Sequence, residues 1–219
     1  MLRVILSSKM KHYIEKTVSL DPNHVDAHIS IASYYMNAPT IAGGSKTKAL
    51  AIAEKIEDLD KKEALILQSQ IYSKFKNYEA AIQVNEALLA ILPEEKHPRS
   101  FMNIALLYQS LKKYEEAFQY CEKAITMMPN YYAAHYQYAR TAIFSKTRID
   151  EGIERLEFYI KNEMNLPPSN PKLTSAYWRL GMLYELKNEK TTAKKQYEKA
   201  VALDNTNKKA KEALEAIGG

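Results

Sequence analysis

The sequence predicts an all-α protein, a stack of paired helices about twelve in number. Three observations carry that expectation. Phe101, Ile104, Ala105, Tyr108, Ala117, Cys121 and Ala124 recur at the same offsets as Tyr177, Leu180, Gly181, Tyr184, Ala193, Tyr197 and Ala200. The underlying period of about 34 residues is that of a solenoid, in which each unit buries its apolar face on the next. Within a unit the apolar residues fall three, one and three apart, which is one face of an α-helix. Composition agrees, because 6 Gly and 8 Pro in 219 residues, with Ala, Lys, Glu and Leu abundant, favour helix.

Residues 1–23 read as half a repeat. Met10, Ile14, Thr17, Val18, Leu20 and Pro22 fit only its second helix, so residues 1–8 are expected either to form an atypical cap or to continue a longer natural chain. Residues 25–61 form the first full repeat, with His28, Ile31, Ala32 and Tyr35 on one helix and Ala49, Ala53 and Ile56 on the next. Its inter-helix turn, Ala38 to Lys46, is stretched by five residues. Residues 62–95 follow, with Leu65, Ser69, Tyr72, Ala81, Asn85 and Pro93. In 98–131, His97-Pro98 opens the first helix, since proline suits the first helical position. Lys112-Lys113-Tyr114 makes the turn, and Pro129 ends the second helix by removing a backbone donor. Residues 132–165 are the most divergent, with one extra residue in the turn, and a linker with prolines runs to Pro171. Residues 174–207 complete the last repeat. Residues 207–217 then read as a terminal cap with Ala210, Ala213, Leu214 and Ile217 on one face.

These residues spell the tetratricopeptide pattern, W-x2-L-G-x2-Y…A-x3-F…P, and the chain resembles the tetratricopeptide repeat (TPR) superfamily over nearly its whole length. That resemblance implies a single right-handed α-α superhelix and a non-catalytic binding scaffold. More narrowly, Tyr34 to Lys46, with Gly43-Gly44 in a long turn, is similar to a bacterial TPR subfamily whose members are often exported. This implies a bacterial source and, for a longer natural chain, a periplasmic or envelope location; without it the expectation is cytoplasmic.

Charge and composition exclude several classes. The formal charge is +5, and residues 170–219 hold ten Lys/Arg (Arg179, Lys194 and Lys195 among them) against six Asp/Glu. Interspersed glutamates make that a solvated outer face rather than a nucleic-acid patch. No apolar run approaches the roughly 18 residues of a membrane span, and Val4-Ile5-Leu6 is too short for a signal-peptide core. No catalytic, cofactor or metal constellation is expected. Gly43-Gly44-Ser45-Lys46 lacks P-loop spacing; its glycines permit a reversal and Ser45 caps the next helix. His24 and His28 stand at metal-binding spacing, yet His28 and His135 occupy the repeat position of Phe101 and read as packing residues, with His24 beside an Asn23 cap. Cys121, the single cysteine, reads as a small buried residue. Glu115-Glu116 read as surface charges at a helix start.

In the family, the second, fifth, ninth and twelfth positions of each repeat line a concave groove. Mapped here, they give an apolar and aromatic stretch with one cation: Met102, Leu106, Tyr136, Arg140, Ile143, Trp178 and Met182. The Lys/Asn clamp by which chaperone-binding relatives hold a terminal carboxylate is missing from those positions. The expected partner is a protein or peptide of unknown identity, with a small apolar ligand or transport substrate as the alternative. A dimer through the half repeat is a further expectation.

Overall fold

A computed structural model of the chain describes residues 2–218, with residues 2–10 described by their backbone alone. It holds twelve α-helices and no strand among the described residues. The all-α expectation is therefore met, and the helices group into two compact units, Met1–Lys96 and His97–Gly219.

In the first unit α1 (Leu2–Leu20) packs on α2 (Val25–Asn37), followed by α3 (Lys46–Lys55), α4 (Lys61–Lys74) and α5 (Tyr78–Leu89). Residues 2–8 continue α1 as helix; Met1 and the Met10 side chain lie outside what is described. Small residues let the pairs approach closely: Ala32, Ala49, Ala53 and Ala64 are buried with Ile56, Leu67 and Ile71. Asn85 of α5 is also buried, at the position Cys121 holds elsewhere. Its amide donates to Ser69 Oγ at 2.6 Å and to the Ala81 carbonyl at 2.7 Å, so the burial is satisfied. Side chains of Ser45, Asp60 and Asn77 cap α3, α4 and α5 by accepting from the N–H three residues on. At α2 the cap is His24, whose Nδ1 accepts from Ala27 N at 3.3 Å. This corrects the expectation of an Asn23 cap: an imidazole acceptor does the work of an amide.

The second unit pairs α6 (His97–Ser110) with α7 (Tyr114–Met127), α8 (Tyr132–Ser145) with α9 (Ile149–Lys161), and α10 (Leu173–Leu186) with α11 (Lys190–Leu203). Helix α12 (Lys208–Gly218) closes on α11. The core runs through Phe118, Tyr138, Leu156, Tyr159 and Leu183. Each such side chain, fully buried, contributes about 1.5–3 kcal/mol.

One turn geometry recurs. Lys76, Lys112 and Asn188 adopt left-handed φ of 59°, 58° and 65°, and the N–H of the following residue returns to the carbonyl of Tyr72, Tyr108 or Tyr184 at 2.9 Å. This is a Schellman closure, with lysine and asparagine where glycine is commonest. The extra residue between α8 and α9 is absorbed by two left-handed residues, Lys146 and Arg148. Arg148 also ties that turn to its neighbour: its guanidinium reaches Glu115 at 2.6 Å, Glu122 at 2.9 Å and the Tyr138 hydroxyl at 3.3 Å, and lies 4.7 Å from the Phe118 ring centroid.

Candidate ligand cavity

The first helices of successive pairs in the second unit, α6, α8 and α10, form one face. There Arg99, Met102 and Leu106 of α6, Tyr131 before α8, and Ala133, Tyr136, Gln137 and Arg140 of α8 line a cavity of about 520 Å³. Its remaining wall is the α9–α10 linker, through Pro167, Ser169, Asn170 and Pro171. That volume lies within the roughly 300–1,000 Å³ of ordinary ligand sites. The linker is pinned to α9 by the Tyr159 hydroxyl, which donates to the Pro171 carbonyl at 2.5 Å, and its own turn is closed by Asn170 N donating to the Pro167 carbonyl at 2.9 Å.

Of the seven side chains expected in the groove, the structure brings Met102, Leu106, Tyr136 and Arg140 into this cavity. Ile143 and Met182 line a second, smaller one of about 320 Å³ with Lys146, Glu185 and Leu186. Trp178 lines neither. Its ring is flanked by the Arg179 guanidinium at 4.8 Å and by Lys209 Nζ of α12 at 5.4 Å.

Arg140 is held by a chain of amides. Gln137 Nε2 donates to Gln109 Oε1 at 2.5 Å, and Arg140 Nη1 donates to Gln137 Oε1 at 3.0 Å. Arg140 Nε is buried without a hydrogen-bond partner. Tyr136 is 6% exposed, its ring 5.2 Å from the Arg179 guanidinium. Burial lowers the pKa of Arg179; Tyr136 opposes this and the like charge of Arg140 adds to it. Burial likewise raises the Tyr136 phenol, against the pull of Arg179 and Arg140. Arg179, counted above with an outer basic face, is therefore misplaced by sequence reasoning: it stands half-buried between two aromatic rings.

The other motifs are spent on structure. Ser45 caps α3. His28 is buried with Nε2 bonded to the Pro22 carbonyl at 2.8 Å. Cys121 is fully buried, which pushes its thiol up to about 12, with Glu122 adding to the shift. Glu115 opens α7 as an exposed charge, paired with Arg148. Among the described residues no group of three His, Cys, Asp or Glu side chains could hold a metal ion. No described helix is long and apolar enough to cross a membrane.

Residues 98–131 and 174–207 each match a family model of the tetratricopeptide repeat. No curated protein matches the sequence. Among solved structures the chain is similar to PilW, a widely conserved type IV pilus biogenesis factor, at 12% identity over 97% of this chain and 93% of that one, TM-score 0.73. It is similar to the pilF protein of Pseudomonas aeruginosa at 16% identity over 96% and 90%, TM-score 0.66. It is also similar to YrrB, a TPR protein with an unusual peptide-binding site, at 17% identity over 91% and 96%, TM-score 0.62. At these identities the likeness is one of fold. Two helix pairs, α6–α7 and α10–α11, match the tetratricopeptide repeat, and the fold of the chain is that of tetratricopeptide-repeat proteins.

Proposed function

We propose that the chain is a non-catalytic scaffold that holds a peptide segment of a partner protein against the α6–α8–α10 face. The tetratricopeptide repeat is a protein-interaction fold, and the observation that carries the finer reading is the 520 Å³ cavity. There Met102, Leu106 and Tyr136 offer apolar surface beside a fixed guanidinium, Arg140. Tyr, Met and Arg are the residue types enriched where proteins meet. The peptide-binding site of a fold neighbour, YrrB, is consistent with this use of the fold.

The test is partner capture by the full chain and its variants. Central aromatic and arginine anchors typically lose about 2 kcal/mol or more on truncation, roughly thirtyfold in affinity. Tyr136→Ala and Arg140→Ala should weaken capture by that order, and Trp178→Ala, outside the cavity, by less. Lys194→Ala and Lys195→Ala on the exposed side of α11 should leave it unchanged. Loss of capture in the lysine variants with retention in the cavity variants would replace this reading by a surface-charge one.

A small ligand is the second reading, favoured by the linker wall at Pro167–Pro171, which bounds the space an extended peptide would need. Self-association through α1 is a separate proposal, supported by the exposure of Tyr13 and Leu20. Sedimentation of Ile14→Glu beside the parent chain, with both monomeric, would remove it.

A further inference from the structure

The arginines around the cavity lack a counter-charge. Arg99 and Arg140 line it, Arg179 lies on the ring of Tyr136, which also lines it, and no Asp or Glu stands in its wall among the described residues. None of the three takes part in an ion pair among the described residues. The contrast with Arg148 of the same unit is direct: that guanidinium is paired with two glutamates and bonded to a phenol. Arg140 and Arg179 instead sit near enough to repel, and half-buried like charges persist at a cost unless something neutralises them.

The arrangement is also built rather than incidental. Gln137 is 3% exposed and orients Arg140 through its carbonyl oxygen, with its own amide fixed by Gln109. Arg140 is therefore pre-positioned, and a pre-positioned guanidinium loses little freedom on binding an anion. One bond from Nη1 to Gln137, with Nε buried, leaves the Nη2 donors and the second Nη1 donor without a protein partner among the described residues. The rest of the wall is mostly apolar, with Met102, Leu106, Tyr131, Ala133, Pro167 and Pro171, and it is polar only at Ser169 and Asn170 of the linker. An anion seated here would have apolar groups on several sides, which suits a monoanionic carboxylate attached to a bulky side chain better than a strongly hydrated phosphate.

We propose that Arg140 and Arg179, flanking Tyr136, seat a carboxylate of the bound peptide, with an adjacent apolar side chain lying on Met102 and Leu106. This rests on the peptide-binding reading above. Arg140 donates to the carboxylate, Arg179 supplies charge from behind the Tyr136 ring, and Gln137 and Gln109 act as positioning residues for Arg140. A C-terminal carboxylate and an Asp or Glu side chain are the two sources of that chemistry.

The experiment titrates the full ¹⁵N-labelled chain and follows its arginine Nε–Hε signals. The probes are acetyl-Ala-Leu-Phe with a free C-terminus, the same peptide as an amide, acetyl-Asp-Leu-Phe-amide, and inorganic phosphate. The expected result is a shift of the Arg140 signal by one or both acid-bearing peptides, with the neutral amide weaker by about tenfold or more, as loss of charge-assisted hydrogen bonds implies. Which acid binds names the source. Arg179→Gln should weaken the acid by about tenfold, and Arg140→Lys, which keeps charge but loses the fork, should weaken it too. Gln137→Leu should weaken it while leaving the helical circular dichroism unchanged. Equal binding of acid and amide peptides overturns the carboxylate seat and leaves the peptide reading standing. Silence from all three peptides at about 10 mM, an affinity weaker than any useful recognition, overturns both. A response to phosphate alone overturns the carboxylate class.

Discussion

The Nε2 atom of His135 donates to the carbonyl of Pro129 at 2.8 Å, and His28 makes the same bond to Pro22 at the same distance. Both histidines open a repeat's first helix, and both prolines follow the helix before. The matching runs are Pro22-Asn23…Ala27-His28 and Pro129-Asn130…Ala134-His135. A carbonyl only accepts, so the proton sits on Nε2. In His135 the remaining Nδ1 is buried without a partner, and the ring lies 4.5 Å from that of Phe158.

That geometry predicts a pH-dependent stability. Burial lowers the pKa of His135 below the ordinary 6.5; the Pro129 bond opposes this and the charge of Arg155 adds to it. Above about pH 6.5 the residue is neutral folded or unfolded, and the full stability is present. As pH falls below that, the unfolded chain takes up the proton first, and stability is lost until the native pKa is passed. Urea unfolding at pH 8, 6.5 and 5.5 should show wild type losing stability relative to His135→Gln, which can still donate and carries no charge. Parallel losses in the two proteins would sink the assignment.

Gly181 and Tyr197 form a matched pair. A Cβ added at Gly181 would lie 2.4 Å from Cε1 of the fully buried Tyr197 ring. The same two repeat positions are Ala105 and Cys121 in α6 and α7. Gly181→Ala should cost about 1–3 kcal/mol through overpacking. Tyr197→Cys should cost about 3 kcal/mol or more as a cavity. The double variant, which copies the Ala105–Cys121 pair, should be more stable than the sum of the two losses. Additive losses in chemical unfolding would show that the two positions do not share the space.

What was legible in the sequence was whatever repeats. The helical stripes, the small residues at Ala105, Ala117 and Ala124, the Ser45 cap and the buried place of Cys121 all follow from local spacing, and the structure agrees. What escaped depends on reach across the fold. Arg179 follows Trp178, and a charge count puts it outside; its long stem instead carries the guanidinium between two rings on neighbouring helices. The linker's place in the cavity wall depends on Tyr159 bonding to Pro171 twelve residues on, which no periodicity reports. Arg148 likewise meets partners on α7 and α8. Sequence spacing found four side chains of the cavity, but not the amide chain from Gln109 to Arg140 that fixes its cation.

The stretched turn between α2 and α3 is an insertion into the common Schellman turn. In the regular turns the N–H of the residue five past the tyrosine returns to the tyrosine carbonyl. Here Ser45 N makes that bond to Tyr35 O at 2.8 Å from ten residues on. Gly43 takes a left-handed φ of 88°, and a Cβ at Gly44 would lie 1.8 Å from the Ala38 carbonyl oxygen. Gly44→Ala must therefore displace backbone, whereas Gly43→Ala meets open space and only the dihedral penalty, about 1 kcal/mol. Deleting Pro39–Gly43 would leave Tyr35-Met36-Asn37-Ala38-Gly44-Ser45. That places Gly44 at the left-handed position and Ser45 at the helix cap, the register of Tyr72 to Asn77. The loss is the bond from the Tyr34 hydroxyl to the Ala42 carbonyl at 2.5 Å, worth about 1 kcal/mol, and a shorter loop recovers some closure entropy. The deleted chain should therefore fold with stability within about 1 kcal/mol of wild type, while Gly44→Ala in the full-length turn should be the more damaging change. Thermal unfolding with helical circular dichroism decides between them. If the deletion unfolds and Gly44→Ala does not, the loop is part of the first unit's framework rather than an excursion from it.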